Sequence, residues 1–427
     1  MKILSPSLLA LLVLSTNTLA AEDTTLVTHV THGEYLARAG DCAACHTSPN
    51  GTAFAGGLKM TTPVGAIYST NITPDQKTGI GEYNLQEFAD ALRKGVARDG
   101  RRLYPAMPYP SFAKISDDDI RDLYLYFMHR VTPVTQKNLH SDIPWPLSIR
   151  WPLAIWNSLF LEGGVYQPKA SRGQQWDRGA YLVQGLGHCG TCHTPRGIGF
   201  QEKALNEMDK TYLSGGTLEG WHAPNLRGDT LTGLGAWSEK DLTLFLKTGH
   251  TEKFSAFGSM VDVIQNSTQH LSDEDLRSIA VYLKSLPAES ESNVKKPLHA
   301  TAPPSTLYTT DKGNPGGQAY LDNCAACHRS DGQGYGNTFP QLARNPALLS
   351  EDPSSVISII LHGSRTPITA SAPTGLTMPD FGWRLSDEQV AQIANFVRNS
   401  WGNNAAQVKT DQVKKIREDG ANKTASP

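Results

Sequence analysis

Three segments of the chain carry the same pattern of hydrophobic and polar positions. In each, a serine is followed by acidic residues, and apolar residues then recur at intervals of three and four. The segments are "ISDDDIRDLYLYFMHR" at 115–130, "LSDEDLRSIAVYLKSL" at 271–286 and "LSDEQVAQIANFVRNS" at 385–400. A serine N-cap with acids in the first turn is typical of a helix start. The pattern therefore predicts three helices, each with one buried face.

A second helical pattern, containing a glycine and a tyrosine, opens three longer repeats. Its copies are "HGEYLARAGDCAACH", "RGAYLVQGLGHCGTCH" and "GGQAYLDNCAACH". A Gly-rich polar loop follows each copy, and one of the amphipathic helices closes each repeat. The same order of parts three times predicts a mainly α protein with three tandem domains, at 29–135, 172–290 and 313–402.

The segments outside these domains differ in composition. Residues 1–20 are largely apolar and end in small residues, which predicts a secretory signal peptide cleaved before Ala21. Residues 136–171 form an apolar connector rich in tryptophan and proline, 291–312 a Pro/Thr-rich linker, and 403–427 a polar tail. No later segment reaches the ~18–20 uncharged apolar residues that a membrane span needs.

Length and charge narrow the classes of function. The chain has 427 residues, which suits about three domains of ordinary size. Its formal net charge is −2 and it has no basic stripe, so we expect no nucleic-acid partner.

All six cysteines lie in three Cys-x-x-Cys-His motifs. A zinc site commonly needs a fourth ligand, a redox dithiol needs a βαβ pattern, and a disulfide framework does not explain the repeated histidine. A c-type haem explains every part, because each cysteine can form a thioether and the histidine can bind the iron. The predicted attachment residues are Cys42, Cys45, Cys189, Cys192, Cys324 and Cys327, and the predicted proximal ligands are His46, His193 and His328.

The second axial ligand decides between oxygen or peroxide chemistry and electron transfer. Met107, Met260 and Met378 each lie between a haem motif and the closing helix of its repeat, and they are the predicted ligands. Met378 is the only methionine of the third domain, whereas Met260 lacks the proline that follows the other two. The remaining methionines, which we interpret as core or surface residues, are Met60, Met128 and Met208.

These motifs resemble one known family, the three-haem cytochrome c subunits of bacterial membrane-bound dehydrogenases. The resemblance runs from "GEYLARAGDCAACHT" and "YPAMPYPSF" through "HCGTCHTPR" and "APNLRGD" to "CAACHRSDGQG" and "TMPDFGW", and covers nearly the whole mature chain. It favours a gluconate 2-dehydrogenase-type partner, with quinoprotein alcohol or aldehyde dehydrogenase as the alternative.

The resemblance implies three tandem cytochrome c domains with three covalently bound c-type haems. It implies that a large flavoprotein or quinoprotein subunit oxidises the substrate, and that this chain passes the electrons to ubiquinone. A small third subunit is a further candidate partner. The implied location is the periplasmic face of the inner membrane, with peripheral membrane contact. The chain alone is then expected to oxidise no sugar or alcohol.

Two other classes of function remain open at this stage. The chain could be a stand-alone periplasmic multihaem enzyme, such as a peroxidase, which needs an iron with no strong sixth ligand. It could also be a free electron carrier, although three domains are large for that role.

The apolar stretch "DIPWPLSIRWPLAIWNSLFLEGG", at 142–164, has two interpretations. Trp145, Trp151 and Trp156 fall within twelve residues, and Arg150 is the only charge between Asp142 and Glu162. The stretch either packs between the first two domains or forms a membrane- or quinone-facing surface, for which tryptophan is well suited.

Overall fold

The computed structural model describes residues 24–62, 64–289 and 314–424, with 421–424 described by backbone alone. The predicted signal peptide and the predicted linker lie outside these residues. The described chain is rich in helix and holds three small two-stranded antiparallel sheets. Among the described residues, no helix combines the length and the apolar composition that a membrane crossing requires.

The three repeats share an order of elements: an opening helix, a short helix at the cysteine motif, a small sheet and a closing helix. The first contains α1 (24–39), α2 (Cys42–His46), β1 (Lys59–Thr62), β2 (Gly65–Tyr68), α3 (Leu85–Lys94), α4 (Tyr109–Phe112) and α5 (Asp117–His129). The connector holds α6 (Leu153–Phe160). The second contains α7 (Gln174–Gln184), α8 (Gly190–His193), β3 (Gly216–Leu218), β4 (Trp221–Ala223), α9 (Glu239–Thr248), α10 (Met260–Asn266), a 3-10 helix (Thr268–His270) and α11 (Asp273–Lys284). The third contains α12 (Pro315–Asn323), α13 (Ala325–His328), α14 (Pro346–Leu349), α15 (Ser354–His362), β5 (Ser364–Arg365), β6 (Thr377–Met378) and α16 (Asp387–Asn399), and α17 (Thr410–Thr424) follows.

The three closing helices begin at the serines that the sequence predicts. Ser116, Ser272 and Ser386 cap α5, α11 and α16, and each side chain accepts a hydrogen bond from the backbone N–H three residues later. These bonds satisfy donors that the first helical turn leaves free. The predicted helix starts are therefore confirmed.

A glycine lies where the opening helix of each repeat crosses the closing helix. A Cβ atom on Gly33 would lie 2.0 Å from the carbonyl oxygen of Asp122, and one on Gly179 would lie 1.9 Å from that of Ser278. Gly316 of the third repeat has the same kind of contact, at 2.3 Å. Only glycine lets the two backbones approach so closely.

Replacing Gly179 with alanine is expected to lower the free energy of unfolding by about 1–3 kcal/mol, because the methyl group forces α7 away from α11. This clash outweighs the gain of up to ~1 kcal/mol that alanine brings to a helix interior. Thermal unfolding followed by circular dichroism measures the change. Gly163→Ala is the control, since its Cβ would meet nothing within 4 Å. An equal midpoint for both variants would contradict the predicted close approach.

The first two repeats pack against each other through reciprocal contacts. Tyr35 of α1 donates a hydrogen bond to Asp275 of α11, and Tyr181 of α7 donates one to Asp119 of α5. Both aspartates occupy the third position of a closing helix. Buried residues of both repeats form one continuous hydrophobic core. The reciprocal pattern indicates an approximate twofold relation between the two repeats.

The third repeat has its own hydrophobic core and joins the second through polar contacts. The Ser355 hydroxyl bonds to the backbone of His222, and Ser358 donates to the carbonyl of Gly220. The segment interpreted as a polar tail includes α17, whose Val413 is fully buried in this third core. An apolar residue on one face of a polar helix is enough to dock it, which composition alone does not reveal.

Helix α6 has one face against the protein and one face toward solvent. Trp156 donates its indole N–H to the carbonyl of Gly199 at 2.8 Å and packs edge-on against Tyr109. By contrast, Leu159 of α6 is 68% exposed. Trp145 and Trp151, which precede α6, are 81% and 67% exposed. The stretch 142–164 therefore bridges the first two repeats along one side and leaves an apolar surface on the other.

Candidate haem sites

Each cysteine motif lies on one short helix that begins just after a sharp turn. In α2, Cys42 and Cys45 are three residues apart and His46 is the last residue. In α8 and α13 the first cysteine is the N-cap, and the second cysteine and the final histidine lie in the helix. One helical turn brings both sulfur atoms to the same side. All six cysteines are free thiols, so none is committed to a disulfide.

Burial keeps the first cysteine of each motif neutral. It raises the pKa of the Cys42, Cys189 and Cys324 thiols to about 12. Each of these three cysteines is therefore held as a neutral thiol.

The three predicted proximal histidines share one hydrogen bond, between Nδ1 and a backbone carbonyl oxygen. The pairs are His46 with Thr70 at 2.7 Å, His193 with Pro224 at 2.7 Å and His328 with Pro340 at 3.0 Å. With the Nδ1 proton donated in this way, the lone pair stays on Nε2, which is the atom that binds iron. Burial lowers the pKa of all three imidazoles, that of His193 to about 4. Each ring is therefore held neutral, as a metal ligand must be.

The three residues that supply these carbonyls were not predicted from the sequence. A signal for them exists, because each is followed by an amide residue and then an aliphatic one: Thr70-Asn71-Ile72, Pro224-Asn225-Leu226 and Pro340-Gln341-Leu342. In the first repeat, Asn71 donates to the carbonyl of Val134 at 2.7 Å. This bond fastens the segment after β2 that carries the Thr70 carbonyl.

The third repeat encloses an apolar cavity of about 740 Å³, counting its open mouth. Cys324, Cys327, His328 and Met378 line it together, so the structure brings the four predicted residues of this repeat to one place. Two thiols, one neutral imidazole and one thioether around an apolar space are the donors of a covalently attached haem with His/Met ligation. The residues present fit a c-type haem.

Met107 and Met260 occupy different settings. Met107 lies in the turn before α4 and packs against the shared core of the first two repeats. Met260 is the first residue of α10, a helix that contacts α2 of the first repeat. Both methionines are partly buried. Their assignment as axial ligands stays a prediction, as does the interpretation of Met60 and Met128.

The first and second cysteine motifs lie beside each other. His188, directly before Cys189, hydrogen bonds to the backbone of Gly40, two residues before Cys42. Its ring also packs edge-on against Phe112, with centroids 5.5 Å apart. The cavity of the third repeat is lined in part by residues 255–257 of the second repeat. The second repeat therefore contacts both the cysteine motif of the first repeat and the cavity of the third.

When bound, a c-type haem supplies one-electron transfer. The protein side chains hold it, orient its histidine and exclude water. Methionine ligation favours a higher reduction potential, and an apolar cavity further limits the access of water to the iron.

Comparison with known proteins gives matches over two of the repeats and over nearly the whole chain. The cytochrome c family model matches residues 176–287 and 314–401. The gluconate 2-dehydrogenase cytochrome c subunit of Pantoea cypripedii is 52% identical over 396 residues, which cover 91% of this chain and 90% of the relative. The alcohol dehydrogenase (quinone) cytochrome c subunit of Gluconobacter oxydans is 47% identical over 403 residues, covering 92% and 83%. The fructose dehydrogenase cytochrome subunit of Gluconobacter japonicus is 40% identical over 424 residues, covering 93% and 85%.

The cytochrome c family match over two repeats, the three fixed histidines beside paired cysteines, and identity of this extent lead to one conclusion. The chain belongs to the family of dehydrogenase cytochrome c subunits, which transfer electrons in dehydrogenase complexes.

Proposed function

We propose that the chain is the three-haem subunit of a periplasmic, membrane-bound dehydrogenase of the gluconate 2-dehydrogenase type. In this role it relays electrons from a large catalytic subunit to ubiquinone. The observation that carries the proposal is the cavity of the third repeat, where paired cysteines, a neutral histidine and Met378 surround one apolar space. The matching histidine geometry in the other two repeats supports a haem in each.

The proposed haem residues follow the repeats. Thioethers form at the six cysteines, and the iron ligands are His46 with Met107, His193 with Met260, and His328 with Met378. The contacts between successive repeats support an electron path that runs through the second repeat. His/Met ligation at all three irons favours electron transfer over peroxidase chemistry, which needs an open sixth position.

The proposed type of partner dehydrogenase rests on sequence identity to known cytochrome c subunits. The chain is 52% identical to the gluconate 2-dehydrogenase subunit and 47% identical to the alcohol dehydrogenase (quinone) subunit. A quinone-dependent alcohol dehydrogenase is therefore the second candidate partner. The proposed membrane contact rests on the exposed tryptophans of 142–164, whose rings suit the layer between lipid and water. An apolar surface of this kind would let the subunit approach a lipid-soluble acceptor.

The purified, haem-loaded chain is expected to show no reduction by gluconate, ethanol or fructose when no second polypeptide is present. Adding the catalytic subunit and its substrate should then reduce all three haems, measured by the visible absorption of ferrous haem. Pyridine haemochrome analysis should give three haems per chain. Substrate-dependent reduction of the chain alone would overturn the subunit proposal. The proposal would also be wrong if neither a gluconate 2-dehydrogenase nor an alcohol dehydrogenase catalytic subunit reduced the haems.

A further inference from the structure

Met378 belongs to a small β-hairpin, residues 364–378, which we call the Met378 hairpin. Its strands, β5 and β6, have two residues each, and Ser364 lies opposite Met378. At the base of the connection between them, the N–H of Thr366 donates to the carbonyl of Leu376 at 2.8 Å. A two-stranded hairpin is only marginally stable in water by itself. The position of Met378 therefore depends on the surface that holds this hairpin.

Two glutamines of the second repeat hold the hairpin by its backbone. Oε1 of Gln265, in α10, accepts a hydrogen bond from the N–H of Ile368 at 2.8 Å. Oε1 of Gln269, in the 3-10 helix, accepts one from the N–H of Ala370 at 3.0 Å. The Gln269 amide also donates to the carbonyl of Gln265 at 2.6 Å, and both glutamines are partly buried. The two side chains therefore form one paired anchor for the hairpin.

The hairpin also packs directly against the second repeat beside these bonds. Pro367 is buried, and a Cβ atom on Gly249, the C-cap of α9, would lie 2.4 Å from its Cγ. The N–H of Gly258 donates to the Ser364 hydroxyl at 3.1 Å. Contacts with the second repeat therefore run along 364–370, the half of the hairpin that lies opposite Met378.

The second repeat reaches the histidine side of the same site. The carbonyl of Lys253 accepts a hydrogen bond from the N–H of Gln341 at 2.8 Å. Gln341 directly follows Pro340, whose carbonyl bonds to Nδ1 of His328. Residues 255–257 line the cavity. The second repeat thus contacts both the segment that orients the histidine and the hairpin that carries the methionine.

We propose that the second repeat completes the third haem site, with Gln265 and Gln269 as positioning residues for Met378. This inference rests on the proposed ligation of the third haem iron by Met378. Neither glutamine is among the described residues that line the cavity, so both act through the hairpin backbone. Their bonds favour the arrangement in which Met378 lines the cavity. Without them, a larger fraction of the molecules has the hairpin displaced.

The test uses the haem-loaded full chain, reduced with dithionite and mixed with carbon monoxide in a stopped-flow spectrometer. Carbon monoxide binds the third iron only when Met378 has left it, so the binding rate reports the displaced fraction. Loss of two hydrogen bonds in the double variant Gln265→Leu/Gln269→Leu should raise that fraction about 10-fold or more. We expect one haem in three to bind carbon monoxide faster by this factor, and its reduction potential to fall in a redox titration.

Two control variants separate positioning from a general effect of substitution. Gln318→Leu should leave the rate and the potential unchanged, since Gln318 is exposed and its amide bonds to Asp322 of its own helix, α12. Gln265→Glu keeps an acceptor for the N–H of Ile368 and should retain the wild-type rate, whereas Gln265→Leu alone should bind carbon monoxide about threefold faster. If the double variant loses haem, this single pair decides the question.

A further combination distinguishes Met378 from Met260, which begins α10 and is the proposed ligand of the second haem. When Met378→Ala is added to the double glutamine variant, one haem should still bind carbon monoxide, because both changes act on the same iron. Rapid binding at two haems would show that the glutamines act through Met260, and the inference would be wrong.

The outcomes also separate this inference from the proposed ligand set. If Met378→Ala admits no carbon monoxide, Met378 is not a ligand and the proposed ligation of the third haem fails. If Met378→Ala binds carbon monoxide, but the haem-loaded glutamine variants match the wild type in rate and potential, the ligation stands. In that case the positioning role of Gln265 and Gln269 is overturned.

Discussion

Replacing Met378 with alanine is expected to lower the reduction potential of one haem and to open that haem to carbon monoxide. Axial ligands set haem potentials over a range of about 0.8 V, so the loss of the thioether should produce a shift that is easily resolved by redox titration. As an iron ligand, Met378 would stabilise the ferrous form, and its loss would leave the sixth position open to water or a small ligand.

Met208→Ala is the matched control for this prediction. Met208 is 82% exposed, and its loss should leave all three potentials unchanged and admit no carbon monoxide. Met107→Ala and Met260→Ala extend the test to the other two repeats. Unaltered potentials and no carbon monoxide binding in Met378→Ala would remove Met378 from the ligand set, even though it lines the cavity with His328.

Replacing Trp145, Trp151 and Leu159 together with serine is expected to release the chain from membranes. Burying one large apolar side chain contributes about 1.5–3 kcal/mol. If lipid covers only part of each, the three together account for about 3 kcal/mol, or about a 100-fold change in partitioning. Flotation with vesicles of bacterial lipids measures this fraction directly. Haem content and the visible spectrum should stay unchanged, because these side chains face solvent rather than the core.

Trp383→Ser controls for the general loss of surface tryptophan. It is 78% exposed but lies in the third repeat, outside the stretch 142–164, and its replacement should leave flotation unchanged. Equal membrane binding of the triple variant and the wild type would contradict a membrane role for 142–164. Trp156 is left intact in this design, because its bond to Gly199 and its packing on Tyr109 make it part of the protein interior.

Much of the fold was predictable because its signals are local. The serine caps of the closing helices and the one-turn spacing of the cysteines depend only on neighbouring residues. The segment after 403 was harder to interpret. Its composition is polar, yet Val413 is buried and Arg417 bonds to Asp387 of α16 at 2.7 Å. Those partners are distant in the sequence, so composition did not reveal the docking.

The candidate sites, like the fold, were predictable from the sequence only where the signal is local. The motif spacing predicted which cysteines and histidines act together, whereas the carbonyls that orient the histidines come from residues 12 to 31 positions later. The stretch 142–164 shows the same limit. Its apolar composition left two interpretations open. In the structure Trp156 packs inward and Trp151 is exposed, and contact with membrane or quinone stays a prediction.

The sequence by itself determined the chemistry of this protein: three haem motifs, their histidines, the candidate methionines and the helices that close each repeat. These features depend on residue type and short spacing, which a linear pattern carries completely. The tertiary structure alone decided which repeats touch, which face of α6 is exposed, and which backbone carbonyls bond to the three histidines. These depend on which distant surfaces come into contact, and that follows from the packing of the whole chain rather than from any short segment.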